Sequence, residues 1–253
     1  MEELILKIRD VYKSFGKLEV QRGITLDIYR GEIITILGGS GTGKSVLLKE
    51  IVGLIKPDAG SIVIFGQDIV PLGEDKLFAI RRKVGVVFQK AALFDSMTVY
   101  ENVAYPLAEV MGKKDAEVKD IVLERLRWVG LKGIENKSPS EISGGMQKRV
   151  GLARAMVLDP PVILFDEPTT GLDPSNVRNI NKLIVRLNKE KNITAIVVTH
   201  DIASADAISH RWAILRRGEV KQVGTPDELR GSSNEYVRSF IVGLSMEDVQ
   251  MEI

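Results

Sequence analysis

Eight consecutive residues, Gly38-Gly39-Ser40-Gly41-Thr42-Gly43-Lys44-Ser45, combine four glycines with a lysine and a closing hydroxyl. Glycine admits positive φ and lets a backbone come close to a ligand, so successive N–H groups can converge on one anion. The stretch 32–37 before them is strand-like, and an apolar helix opens at Val46. Strand, glycine loop and helix in that order form the context of a phosphate-binding P-loop. There Lys44 neutralises β/γ-phosphate charge, the Ser45 hydroxyl reaches Mg²⁺, and the helix N-terminus adds its partial positive charge. The bland alternative, a glycine-rich turn that binds nothing, is weakened by the correct flanks on both sides.

Two further clusters could share that chemistry. Val162-Ile163-Leu164-Phe165 is wholly apolar and ends in two adjacent carboxylates, Asp166-Glu167. In open α/β sheets ligands lie beyond the carboxyl ends of strands. Asp166 is therefore a candidate to hold Mg²⁺ through its water shell, and Glu167 a candidate general base for an attacking water. Standing alone before Pro168, the same residues read equally well as an ordinary turn. In Glu141-Ile142-Ser143-Gly144-Gly145-Met146-Gln147-Lys148-Arg149, Ser143 is placed to cap a helix. Gly144 and Gly145 would then present amides at a helix N-terminus, where anions bind; by itself the segment is simply a helix cap.

The elements that must position these groups follow from hydrophobic periodicity. Short apolar runs alternate with helical-period stretches, the pattern of an α/β fold whose mostly parallel sheet is covered on both faces. Strands are expected near 4–11, 21–28, 32–37, 61–65, 84–88, 162–165, 194–199, 213–215 and 220–223. Residues 91–158 break the alternation with helices over 99–111, 115–129 and 145–158, which predicts a helical subdomain inserted in the sheet domain. We expect one domain over 1–253, with a core of about 1–90 and 159–230, the helical lobe of about 91–158 and a helical tail over about 232–253. In the tail, Tyr236, Val237, Phe240, Ile241 and Leu244 share one helical face. Docking of that face on the protein's own domain is favoured over capture of a partner.

Composition narrows the function. The 253 residues carry 35 Lys+Arg and 34 Asp+Glu, a formal charge of +1. Nucleic-acid binding, which needs a basic excess to meet phosphates, is not expected. No apolar run approaches the roughly 20 residues of a membrane-spanning helix, and the acidic start does not resemble an export signal. With no cysteine there is no disulfide or thiolate metal site. A protein of the cytoplasm is the resulting expectation.

A P-loop, a Ser-Gly-Gly segment about a hundred residues on, an acidic strand end beyond it and Thr199-His200 after another apolar run together resemble the ATP-binding-cassette family over nearly the whole chain. The resemblance implies an α/β P-loop nucleotide-binding domain with a mixed sheet core and an inserted helical subdomain. It also implies ATP and Mg²⁺ as ligands. Phe15 resembles the aromatic that stacks on adenine. Gly38, Gly39, Ser40, Gly41, Thr42, Gly43, Lys44, Ser45 and Val46 form the phosphate loop. Gln89 resembles the glutamine that contacts Mg²⁺ and the attacking water and senses a transmembrane partner. Ser143, Gly144 and Gly145 resemble the signature that holds the γ-phosphate of ATP bound to the opposite subunit, and Met146 stands where glutamine is commoner. Asp173 belongs to a segment similar to the loop that lies across the dimer seam. His200 resembles the switch histidine on the γ-phosphate, so Glu167, His200 and Gln89 are the expected catalytic set and Ser45, Gln89 and Asp166 the metal set. His210 matches nothing and is read as a surface or packing residue.

The family implies a second copy of the chain as partner, because one nucleotide is gripped from both sides only when two amide clusters face each other. It also implies permease subunits and a peripheral place on the cytoplasmic face of the inner membrane. Ala92-Leu93-Phe94, Asn102-Val103-Ala104-Tyr105-Pro106-Leu107 and the methionine at 146 resemble the Mla/Mce branch, which powers lipid movement between bacterial membranes with a periplasmic-side lipid-binding MCE subunit. An importer of amino acids or other small solutes and a non-transport cassette ATPase are the alternatives. Residues 91–100 are either the family's docking groove or internal packing of the lobe. A GTPase is disfavoured: the pairs Asn136-Lys137, Asn181-Lys182 and Asn188-Lys189 are followed two residues on by Pro139, Ile184 and Lys191, never by the aspartate that reads guanine.

Overall fold

A computed structural model describes residues 3–112 and 115–243. In chain order these form β1 (Leu4–Phe15), β2 (Leu18–Tyr29), β3 (Ile33–Leu37), α1 (Lys44–Ile51), β4 (Ala59–Ile64), β5 (Gln67–Asp68), α2 (Glu74–Arg81), β6 (Val84–Val87) and α3 (Val99–Tyr105). There follow α4 (Asp115–Trp128), α5 (Gly144–Ala155), β7 (Val162–Asp166), α6 (Pro174–Lys191), β8 (Thr194–Thr199), α7 (Ile202–Ile208), β9 (Arg211–Arg216), β10 (Glu219–Gly224), α8 (Pro226–Arg230) and α9 (Glu235–Val242). The chain divides into two compact units, Met1–Pro71 with Val198–Ile253, and Leu72–Val197.

In the first unit an antiparallel sheet runs in the order β2-β1-β4-β5. β3 pairs parallel with β9, from Ile34 opposite Arg211 to Leu37 opposite Ile214, and β9 pairs antiparallel with β10. The sheet is thus mixed, as the sequence led us to expect. All five residues of β3 are buried, which explains why this strand reads as a continuous apolar run rather than an alternating one. Leu37, Ala205, Trp212, Ile214, Leu229 and Val237 form a core cluster, and Tyr236, Phe240 and Ile241 pack against it. The tail helix α9 therefore docks on its own unit; Leu244, also expected on its face, lies outside the described residues.

In the second unit β6 pairs parallel with β7, from Val84 opposite Val162 to Val87 opposite Phe165. The three expected helices appear as α3, α4 and α5, with one departure. After Tyr105 the α3 helix widens into a π-helical turn at Pro106–Val110. Pro106 has no N–H to give to the carbonyl four residues back, so the regular ladder breaks at that point.

Two other differences have local causes. β1 continues past Val11 to Phe15, because the carboxylate of Asp58 accepts from Ser14 N and Lys13 Nζ, both at 2.7 Å, and ties down a polar strand end that alternation does not reveal. α2 was not expected, since only Leu77 and Ile80 of its eight residues are buried and the apolar stripe is too short to show.

Candidate functional site

The first unit carries the glycine loop. β3 delivers the chain into it, and α1 leaves it with Gly43 as N-cap at φ 96, a left-handed value that glycine adopts without strain. A Cβ on Gly38 would stand 2.5 Å from Leu215 O, so the loop's entry admits no side chain there. Lys44 is buried, and its Nζ donates to Gly38 O at 2.7 Å and Gly39 O at 2.8 Å. The Thr42 hydroxyl donates to Gly39 O at 2.9 Å. The lysine and threonine thus brace the loop from within, leaving Ser40 and Gly41 exposed along its crest. These are the features a polyphosphate needs: a shaped backbone, a helix N-terminus and a cation at its base.

Phe15 lies at the end of β1 and is 48% exposed, and Lys13 Nζ sits 5.4 Å from its ring centroid. An exposed ring held by a cation suits stacking on a flat base. His200 is exposed immediately after β8, with Asp201 capping α7 behind it. His210 accepts from Ile33 N on Nδ1 at 2.9 Å, so it fastens the start of β3.

The second unit carries the acidic strand end and the serine-capped helix. Asp166 closes β7, and Glu167 follows at φ 47, buried to 9% exposure. A left-handed glutamate costs about 1–2 kcal/mol and persists only where neighbours over-determine it. Those neighbours are Lys148, whose Nζ donates to Glu167 O at 3.2 Å and Thr170 O at 3.0 Å, and the Thr170 hydroxyl, which donates to Glu167 Oε2 at 3.0 Å. Burial pulls the Lys148 ammonium below its usual range, partly offset by the Glu167 charge. Ser143 caps α5, accepting from Met146 N at 3.3 Å, with Ser143 and Gly144 exposed. Gly145 is buried against Asn176. Asp173 caps α6, accepting from Ser175 N at 2.9 Å and Asn176 N at 3.1 Å. The Asn176 side chain and these amides hold its carboxyl below the usual range.

Gln89 is exposed in the turn after β6. Just beyond it Ala91 and Ala92 take φ 58 and 47. Arg154, in the last turn of α5, donates to both of their carbonyls at 2.8 Å, and its guanidinium lies 5.7 Å from the Phe94 ring. Asn102 is wholly buried, accepting from Phe94 N and donating to Phe94 O, Met97 O and Thr98 O. Sequence reasoning missed Lys148, Arg154 and Asn102 as organisers; a polar residue in an otherwise apolar helix face was their only signal. Residues 91–100 divide between internal packing, which was one of the two readings, and an exposed cleft wall. Val99 is fully buried, whereas Phe94 is 41% exposed on the wall of a cleft of about 410 Å³ that Phe78, Phe88, Tyr105 and Arg154 also line.

Comparison with known proteins places this geometry among relatives. A family model described as ABC transporter matches residues 21–170. The probable ribonucleotide transport ATP-binding protein mkl of Mycobacterium leprae (strain TN) is 44% identical over 246 residues, covering 97% of this chain and 71% of that protein. The intermembrane phospholipid transport system ATP-binding protein MlaF of Haemophilus influenzae is 38% identical over 245 residues, covering 97% of this chain and 93% of that protein. The methionine import ATP-binding protein MetN of Clostridioides difficile (strain 630) is 39% identical over 237 residues, covering 94% and 74%. Among solved structures, an ATP-binding cassette described as a dimer in a post-hydrolysis state bound to ADP and Pi superposes with a TM-score of 0.80 at 36% identity, over 87% of this chain and 98% of that one.

Proposed function

Because the chain belongs to the ATP-binding-cassette transporter family and is an ATPase, we propose that two copies of it close around two ATP molecules and drive a membrane permease that moves lipid. The observation that carries the paired mechanism is the presence of two amide clusters on separate helices. One is the glycine loop opening α1, and the other is the exposed Ser143-Gly144 end of α5. Each is half of a phosphate cradle, and head-to-tail pairing of two copies lets the loop of one meet Ser143, Gly144 and Gly145 of the other, with the same contacts repeated by symmetry. That the superposed cassette is described as a dimer supports this arrangement.

In this reading Phe15 stacks on the adenine, and Gly38 to Val46 wrap the phosphates with Lys44 on their charge. Glu167 holds the attacking water, His200 and Gln89 meet the γ-phosphate side, and Asp173 lies at the seam between copies. Ser45, Asp166 and Gln89 would hold Mg²⁺, a hydroxyl, a carboxylate and an amide oxygen being the hard donors that cation takes; bound there, it would neutralise phosphate charge. Loss of the γ-phosphate removes the contact that joins the copies, which turns hydrolysis into separation. Glu167→Gln is expected to bind ATP, remain paired in size-exclusion light scattering and lose turnover, while a Ser143→Arg change on the same background separates the copies. A mutant hydrolysing at the original rate would remove Glu167 from the mechanism.

Lipid as cargo rests on the likeness to the MlaF protein and on the Mla/Mce-like segments 92–94, 102–107 and 142–146. Among the described residues no helix is long and apolar enough to cross a membrane. The work must then pass to a permease, docked in the cleft beside Phe94 at the cytoplasmic face of the inner membrane, with an MCE-type lipid-binding subunit on the far side. A small-solute importer is the second reading, favoured by the similar identity to the MetN protein. Purifying the complex from its native membrane separates the two. Co-purified phospholipid and an MCE subunit support lipid transport, and an amino-acid permease refutes it.

A further inference from the structure

Behind the glycine loop, wholly within the first unit, lies a polar pair that the reading above does not use. Gln21 on β2 and Glu50 in the last turn of α1 are 2% and 1% exposed. The amide nitrogen and oxygen of Gln21 and both carboxylate oxygens of Glu50 are buried and make no well-formed hydrogen bond. Leaving four buried polar atoms idle is costly, so an arrangement that pairs them is favoured. The two side chains face each other: burial pushes the Glu50 carboxyl up to about 7, and the neighbouring Gln21 amide partly opposes that rise.

Burial favours the protonated acid, and that form is also the one that complements an amide. A carboxamide offers one donor group and one acceptor. A carboxylate is acceptor-only and would set its charge against Gln21 Oε1, whereas a carboxylic acid supplies an O–H for Oε1 and a C=O for Nε2. Only the protonated acid can satisfy every atom of the pair.

The pair also touches the loop. A Cβ on Gly43 would lie 3.3 Å from Gln21 Cγ and 3.0 Å from Val20 O, so β2 runs directly against the N-cap of α1. Behind it, Arg22 N donates to Gly218 O at 2.8 Å, and a Cβ on Gly218 would lie 3.0 Å from Gln21 Cα. Gly43 and Glu50 are seven residues apart and share one face of the helix, with the glutamate side chain leaning back toward the N-terminus. Gln21 therefore contacts α1 at its cap through a methylene and faces its last turn through an amide.

We propose that Gln21 and Glu50 form a buried acid–amide pair that positions α1, and with it Gly43 and Lys44, for nucleotide, Glu50 keeping its proton toward Gln21 Oε1. Both are positioning residues, and their role rests on the reading of the glycine loop as the ATP site. The charged groups that face Glu50 are Lys13, opposite Gln21 across the β1–β2 ladder, and Asp58, and these two pair with each other at 2.7 Å, so their fields largely oppose. The pair's contribution is full below the carboxyl's unfolded value of 4.5 and is lost as pH rises through about 7.

The test uses the full chain, Glu50→Gln, which keeps donor–acceptor complementarity without a titrating group, and Gln21→Leu, which removes it. ATP affinity is measured by calorimetry at about pH 6 and about pH 8. ATP's own ionisation is common to all variants. The wild type is expected to lose at least about threefold more affinity over that range than Glu50→Gln, and Gln21→Leu to bind weakly at both. Equal ratios in wild type and Glu50→Gln overturn the proposal. Thermal unfolding without nucleotide is followed in parallel: the wild-type midpoint should fall over the same range relative to Glu50→Gln. A midpoint that responds while affinity does not reduces the pair to a structural role and overturns positioning. If no variant binds ATP, the reading of the glycine loop fails, while the unfolding comparison still decides whether Glu50 holds its proton.

Discussion

At the scale of single residues, the proposed general base is held in a conformation it could not keep alone. Glu167 sits in the left-handed region, and the main-chain oxygens on either side of its turn, Glu167 O and Thr170 O, are fastened by the buried ammonium of Lys148. Lys148→Met keeps the bulk but deletes the donor from two carbonyls. Unfolding free energy is expected to fall by about 1–3 kcal/mol, read by urea denaturation, and, if Glu167 is the base proposed above, turnover is expected to fall further than ATP affinity, because Glu167 is released rather than the phosphate loop. An unchanged maximal rate would show that Glu167 needs no such support. Glu167 itself was legible, since an apolar run ending in two carboxylates is a local pattern. Lys148 was not, because nothing in its neighbourhood of sequence says that its ammonium turns inward, 19 positions along the chain from the carbonyl it holds.

At the scale of elements, α5 is the most informative segment. It begins at the Ser143 cap and ends at Arg154, which grips Ala91 and Ala92 beyond Gln89. Helices are stiff over a dozen residues, so displacement of the post-Gln89 segment should be felt at the serine end. Two successive left-handed alanines cost about 1–2 kcal/mol each, and the guanidinium, with Gly151 beneath Ala91, is what holds them. Arg154→Lys loses the planar fork that spans both carbonyls. Hydrogen exchange at residues 89–94 is expected to rise by at least about tenfold, the response to roughly 1.4 kcal/mol of lost local stability, with smaller change elsewhere. Unaltered protection there would mean that Asn102 suffices. The capping of α5 and the bounds of α4 followed from periodicity and helix-end residues. The π-helical turn after Tyr105 and the short α2 did not, since one depends on what a proline withholds and the other buries too few residues to show a period.

At the scale of the whole molecule, each unit is described by its own core, and that of the first unit is completed by the tail. Val237 on α9 is fully buried beside Trp212 and Leu229, with the Arg216 guanidinium 4.0 Å from the Tyr236 ring at the rim. Val237→Ala should lower unfolding free energy by about 1–3 kcal/mol through the cavity it leaves, measured by thermal denaturation; an unchanged midpoint would show that α9 does not support the core. The amino-acid sequence by itself determined the family, the glycine loop, the acidic strand end and the serine cap, because each is written in neighbouring residues whose chemistry and backbone freedom act over a few ångströms. Only the tertiary structure decided which distant side chains serve them: Gln21 against Gly43 and toward Glu50, Lys148 on Glu167, Arg154 on Ala91 across 63 positions. Burial and packing select those partners, and neither is set until strands and helices from separate parts of the chain have come together.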